Sequence, residues 1–342
     1  MTNEKKPIVV TMGEPSGISS EIIIKTWKKR KIFKIPPFVL IDDLQKLKII
    51  NEKFNYNVNF QSIKNIEKAN EIFYKSIPVI DLNRKIKSVL GTPDINNSKV
   101  VIESINRAFE LVLNNKASSI LTLPVCKRTL KKSKFNYKGQ TEYLSFLTKK
   151  KTGLNQSEIM ILSTTKPVDK GSNLIVGLIT THIPMSKINT YIKKNIIFEK
   201  ILSFKNALSK IWKIQSPKIA IASVNPHAGE GGLIGNEEVN IIQPVLKKCK
   251  DLKIDIAGPL SSDSCFHKES RENFDGILCF YHDQGLIPIK TLDFKNSINV
   301  TGGLPFIRVS PDHGPAFDIA KKNCASINST VASFNFLKKN IY

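Results

Sequence analysis

Acids, histidine and long apolar runs are all scarce in this chain. Its 29 Asp and Glu face 52 Lys and Arg, a net charge of +23. Such a charge invites a nucleic-acid or membrane reading. The basic pairs are dispersed along the sequence, however, and no finger, KH or basic-zipper pattern accompanies them. A dedicated nucleic-acid function is therefore not expected, and lysine richness is read as compositional bias. No apolar run approaches a membrane span, and the first strand begins too early for a signal peptide. The expected location is the cytoplasm. The five cysteines, Cys126, Cys249, Cys265, Cys279 and Cys324, contain no CxxC pair, which argues against a disulfide framework. Cys126, in LPVCKR, is the one considered near a site. Neither GxGxxG nor GxxxxGK(S/T) occurs, so no ordinary dinucleotide or ATP loop can be assigned.

What is present is a small set of histidines in constrained settings. The chain has five. His182 lies in THIP after an apolar run, His227 in NPHAGEGG and His282 in YHDQG; a fourth, His313, lies in SPDHG. Each of the first three is expected at the end of a strand. Imidazole is the usual neutral-pH ligand of a borderline divalent metal. Three of them make a chemically reasonable first shell with open positions for substrate. Zinc fits the ligand type; cobalt, manganese, magnesium and iron stay open, as do hydrolysis, aldol cleavage and dehydrogenation. Asp283 follows His282, and a carboxylate there can orient the imidazole, although adjacency alone does not establish that bond. Lys127, Arg128, Lys290 and Arg308 are candidate anion contacts, Arg308 the most specific by its planar guanidinium.

Recurring strand–loop–helix units predict a layered α/β protein. KPIVVTMGEPSG reads as strand, glycine loop and helix start, with Gly13 and Gly17 allowing a close turn and Ser16, Ser19 and Ser20 able to cap amides. PFVLIDD, IPVIDL, ASSILTLPV, EIMILST, NLIVGLITTHIP, KIAIASVNP, IDIAGPL, FDGILCF and FIRVS read as further strands. SKVVIESINRAFELVLNN, the segment after the cap Thr141, EEVNIIQPVLKKCK, PAFDIA and NSTVASFNFLKK read as helical. Ligands in such sheets gather beyond the carboxyl ends of strands.

TMGEPSGISSEI, LTLPVCK, GQTEYL, THIP, NPHAGEGGLIGNEE, GPLSSDSCF, FDGILCFYHDQGLIPIK and NVTGGLPFIRVSPDHGPAFDIA together resemble the 4-hydroxythreonine-4-phosphate dehydrogenase family of vitamin B6 biosynthesis. The resemblance runs from residue 11 to about residue 320. It implies a two-domain α/β fold like that of isocitrate and isopropylmalate dehydrogenases, with an interdomain cleft. One domain would hold residues 1–128 and 305–342, the other 129–304. It implies oxidation of 4-phosphooxy-L-threonine by NAD, or NADP in some members, to 2-amino-3-oxo-4-phosphooxybutanoate. That product decarboxylates to 3-amino-2-oxopropyl phosphate. It implies a homodimer whose active sites are completed across the interface, with His182, His227 and His282 as ligands of one divalent ion, zinc, cobalt, magnesium or manganese. Gln140, Thr141, Lys290, Asn299 and Arg308 match substrate positions; Asp263, in GPLSSDS, is the acid/base or orienting candidate. No cofactor residues can be assigned. Gln140 stands where the family has histidine, and glutamine cannot become cationic. The alternatives are a related metal-dependent dehydrogenase for another phosphorylated hydroxy acid and a non-enzymatic polyanion-binding protein.

Overall fold

The computed structural model describes residues 5–154, 157–165, 168 and 174–341. The chain divides into two compact units, residues 1–147 with 305–342 and residues 148–304. The first crossing was expected after residue 128. It falls later because the stretch after it stays with the first unit: Tyr143 hydrogen-bonds Asn106 at 2.7 Å and its ring packs 4.9 Å from that of Phe135.

The first unit is built on six strands: β1 (Ile8–Thr11), β2 (Phe38–Asp42), β3 (Phe60–Ser62), β4 (Ile77–Asp81), β5 (Ser119–Leu121) and, from the later segment, one at Ile307–Pro311. They lie in the order β3-β4-β2-β1-β5 with the Ile307–Pro311 strand outside β5, and every pair is parallel. Strands 1 and 2 are buried along their whole length, as parallel strands covered on both faces must be. Phe38 stacks on Phe334 and meets Phe73 edge-on, both at 5.0 Å, which fixes the C-terminal helix Asn328–Ile341 against the sheet.

The second unit contributes β6 (Ile159–Ser163), β7 (Ile175–Leu178), β8 (Ile219–Ala222), β9 (Ile256–Leu260), β10 (Gly276–Cys279) and β11 (Ile298–Gly302); the Ile307–Pro311 strand is thus β12. Their order is β11-β6-β7-β10-β8-β9. Strand 6 runs antiparallel to both neighbours, and β7, β10, β8 and β9 are parallel. Leu162, Val176, Leu178, Ala220, Ile277 and Cys279 form the centre of its core. Burial raises the thiols of Cys249 to about 11 and Cys265 to about 12, and that of Cys279 as well. These three are small apolar fillers, not nucleophiles.

Several local expectations are corrected. PAFDIA is a succession of turns instead of a helix, and INVTG is a strand that its short alternation concealed. The first helix, Ser19–Lys28, has no side-chain cap; Ser19 Oγ donates instead to Pro124 O at 3.3 Å. Gly17 is needed for contact, since a Cβ there would lie 2.7 Å from Pro315 O. Asn173, where an expected strand began, lies outside the described residues. Among the described residues no helix is long and apolar enough to cross a membrane.

Candidate active site

The histidine arrangement follows from strand order in the second unit. Strands 7, 10 and 8 are consecutive parallel neighbours, and their carboxyl ends lead to His182, His282 and His227 respectively. Beyond β7 and β10 the pairing continues: Ile179 N donates to Cys279 O at 2.8 Å and Thr180 N to Phe280 O at 3.1 Å. Two residues further along each arm stand His182 and His282, with ring centroids 5.3 Å apart. His282 follows β10 as expected and also opens the helix His282–Asp293. Its Nδ1 meets Asp283 Oδ1 at 2.7 Å, the orienting contact that adjacency alone left open; this fixes the ring with Nε2 as the nitrogen turned away from that carboxylate.

His227 is held differently. Residues 227–231 all have positive φ, between 43° and 74°. His227, Ala228 and Glu230 are not glycine, and a left-handed L-residue costs about 1–2 kcal/mol. Such strain persists only where the surroundings over-determine it. The entry to this run is pinned by Glu238, fully buried. Its Oε1 accepts from Val224 N and Asn225 N, both at 2.8 Å, and its Oε2 from Asn225 Nδ2 at 2.9 Å. Gly229 lies so close that a Cβ would come within 2.7 Å of Glu238 Oε2. Asp263 is near enough for His227 to act on it electrostatically. Its carboxyl is held below the usual range, first by a 2.6 Å bond from Ser261 Oγ. A carboxylate so stabilised is poorly matched to acid catalysis near neutrality and better suited to orienting a neighbour.

Gln284, flagged only as part of YHDQG, ties these strand ends together. Its Oε1 accepts from Phe280 N at 2.7 Å; its Nε2 donates to Ser223 O at 2.7 Å and Ser262 Oγ at 2.8 Å. Neither Gln284 nor Glu238 was singled out from the sequence, because a buried polar side chain serving backbone groups has no spacing signature. Among the described residues no group of three or more His, Cys, Asp or Glu is close enough to hold an ion. Two of the three expected ligands are therefore brought together, and the third is not gathered with them in one chain. In kind the donors suit a borderline divalent ion: paired imidazoles, one oriented by a carboxylate.

Lys290 lies on the same helix as His282, its Nζ 3.4 Å from Ser297 Oγ. Asn299 lies on β11 with its Oδ1 buried and unpartnered.

In the first unit, Arg308 on β12 is 3 % exposed. Its Nε and Nη2 both donate to Thr122 Oγ1, at 3.0 and 2.6 Å, and its Nη1 to Thr141 Oγ1 at 3.3 Å. Burial lowers its pKa to about 10, opposed by the charge of Glu142. Lys127 is also lowered, first by loss of solvent and further by Arg308, with Glu142 opposing. Gln140 opens the helix Gln140–Thr152, so Thr141 is in its first turn and not its cap. Gln140 Nε2 donates to Leu123 O at 3.2 Å, and its Oε1 is buried without a partner. A carbonyl can only accept, so the amide orientation is fixed and Gln140 offers an acceptor. Arg308 and Thr141 are thus one polar cluster with Thr122, Lys127 and Glu142, which the sequence did not connect to them, and Gln140 bonds the backbone next to Thr122.

Comparison with known proteins shows the family. A family model described as pyridoxal phosphate biosynthetic protein PdxA matches residues 35–337. A 4-hydroxythreonine-4-phosphate dehydrogenase of Caulobacter vibrioides is 34 % identical over 335 residues, covering 98 % of this chain and 97 % of the relative. The crystal structure of the enzyme of that name from Klebsiella pneumoniae superposes with a TM-score of 0.83 at 32 % identity, covering 99 % of this chain and all of the other. A terephthalate 1,2-cis-dihydrodiol dehydrogenase from Burkholderia xenovorans, at 18 % identity and TM-score 0.60, shares the fold. By whole-length sequence and structural similarity, the chain belongs to the PdxA family of pyridoxal phosphate biosynthetic proteins.

Proposed function

We propose that the two clusters are the metal-binding and anion-binding halves of a dehydrogenase site. The chain is an NAD(P)-dependent oxidoreductase of vitamin B6 biosynthesis that oxidises 4-hydroxythreonine 4-phosphate. The observation that carries the site assignment is the pairing of His182 with His282 at neighbouring strand ends. His182, His227 and His282 would hold a divalent ion, zinc, cobalt, magnesium or manganese. When bound it supplies Lewis acidity toward the substrate's C3 hydroxyl. Arg308, with Thr141, takes an anionic group of the substrate; burial makes that charge pair strong. Gln140 accepts from a substrate O–H or N–H, and Lys290 and Asn299 line the other half. Asp263 orients the His227 side.

The C3–H hydride passes to the nicotinamide and the hydroxyl proton leaves, giving 2-amino-3-oxo-4-phosphooxybutanoate. In this β-keto acid the C3 carbonyl receives the electron pair as carbon dioxide departs, and reprotonation gives 3-amino-2-oxopropyl phosphate. A homodimer that completes each metal site across its interface reconciles the paired histidines with the separately held His227. The proposed fold relationship to isocitrate and isopropylmalate dehydrogenases is supported by the return of the C-terminal segment to the first unit. Incubating metal-defined protein with 4-phosphooxy-L-threonine and NAD should yield NADH and the decarboxylated product by mass. No turnover with any of the four metals would defeat the activity.

A further inference from the structure

The loop GEPSG after β1 carries a buried carboxylate that the proposed reaction does not use. Glu14 is 3 % exposed. Strand 1 has β2 on one side and β5 on the other, both parallel to it, so the loops that leave β1 and β5 stand side by side. Glu14 joins them. Its backbone N–H donates to Pro124 O at 2.7 Å. Its carboxylate accepts from Ser16 N at 3.2 Å, within its own loop, and from the N–H of Cys126, beyond β5. Gly13 permits the approach, since a Cβ there would lie 2.9 Å from Pro124 O.

Cys126 is the residue from which the helix Lys127–Lys132 starts, and its own side chain makes no cap. In a capping box the N–H of that residue is met by a side chain three positions further on. Thr129 holds that position here but bonds Cys126 O instead, at 2.9 Å; the acceptor for Cys126 N–H comes from Glu14 on another strand exit. The rest of the segment is tied down residue by residue. Thr122 N donates to Val309 O at 3.0 Å and Leu123 N to Thr11 Oγ1 at 3.3 Å. Glu14 is thus the last anchor before Lys127, which faces Arg308 and Glu142 electrostatically.

Resting on the dehydrogenase reading, we propose that Glu14, as the carboxylate, is a positioning residue of the anion cluster: it fixes the exit of β5 so that Lys127 adds its charge to that of Arg308. An ionised carboxylate accepts at both oxygens. Protonation, or an amide in its place, turns one of them into a donor and disturbs the bond to Cys126 N–H. Burial raises the Glu14 carboxyl above its ordinary value, opposed by the N–H groups of Ser16 and Cys126 and by Lys46, with Asp94 adding to the rise. Lys46, from the helix Leu44–Lys53, and Asp94, from the segment after β4, are the charged groups that act on it. Lys46 is itself committed to Asp42 at 2.7 Å, so the anchor carries a charge that titrates within the working range of the protein.

The test is steady-state kinetics of E14Q in the full-length, metal-loaded protein. KM for 4-phosphooxy-L-threonine should rise about tenfold, with kcat changed by less than about twofold. The ratio of the two KM values should shrink from about pH 8 to about pH 5, because the parent's own carboxyl takes up a proton and comes to resemble the amide; the substrate's titration cancels in the ratio. E14Q and K127Q should be non-additive, the double variant lying within about twofold of K127Q. Should thermal melting show E14Q unfolded, E14D takes its place: it keeps the charge on a stem one methylene shorter and should raise KM by a smaller factor. Unchanged KM in the folded variant, a ratio constant with pH, or independent effects of E14Q and K127Q each overturn the assignment. Inorganic phosphate, titrated calorimetrically, reads the same cluster without turnover, and E14Q should weaken it by a like factor. An inactive parent whose phosphate affinity falls in E14Q would defeat the dehydrogenase reading and leave the role of Glu14 standing.

Discussion

Replacing Arg308 with methionine should separate stability from function. The guanidinium is buried and its pKa is lowered from the ordinary arginine value to about 10, chiefly by burial. At about 1.4 kcal/mol per pH unit, that is a cost of about 3 kcal/mol to the folded state. The sign is that of a cation with a depressed folded-state pKa. The cost is present in full at every pH below 10 and is relieved only as pH rises toward the unfolded-state value. The bonds to Thr122 and Thr141 offset it by about 1–3 kcal/mol each. Methionine removes both the cost and the bonds, so R308M should melt within about 3 °C of the parent. Its affinity for an anionic substrate should behave otherwise. Losing one buried charge partner costs about 3 kcal/mol, or about 100-fold in KM. R308K keeps the charge but not the fork that grips Thr122 and should fall between. Differential scanning fluorimetry and initial-rate kinetics measure the two effects. A normally melting R308M with unchanged KM would refute a substrate role for Arg308, and unfolding near room temperature would refute the stability balance.

Three further outcomes follow from the sites. Q140H should give KM a new titration near the imidazole value of about 6.5, absent from the parent because glutamine does not ionise; identical KM–pH profiles would place Gln140 away from substrate. E238Q puts an amide where a buried carboxylate receives three hydrogen bonds; it should cost about 2–3 kcal/mol and lower metal content by mass spectrometry, whereas full metal occupancy would free the left-handed loop from its assigned anchor. H282A and H227A should each lose bound metal and turnover, and mixed dimers of the two should regain part of the activity if ligands come from both subunits; no regain in verified heterodimers would place each site in one chain.

Strand positions were largely legible because parallel core strands are continuous β-branched runs bounded by Gly, Pro and polar turns. PFVLIDD, KIAIAS and FDGILCF coincide with β2, β8 and β10. INVTG was hidden because only Ile298 and Val300 are apolar in it. PAFDIA carries a helical composition, but Pro315 at its head and its close contact with Gly17 hold it in turns. The histidine arms were legible as strand exits, yet which two meet depends on strand order: β10 lies between β7 and β8, although β8 precedes it in sequence. The polar cluster around Arg308 was illegible for the same reason, since Thr122 is 186 residues away.

The left-handed turn that carries His227 also limits how portable the site is. Five successive residues trace the mirror image of an ordinary helical turn, a course that L-amino acids do not take unaided. The octapeptide NPHAGEGG, grafted onto another scaffold, would relax unless an acceptor equivalent to Glu238 came with it. The heritable unit of this motif is therefore the longer stretch from Val224 to Glu238, of which the recognisable signature is only the visible part.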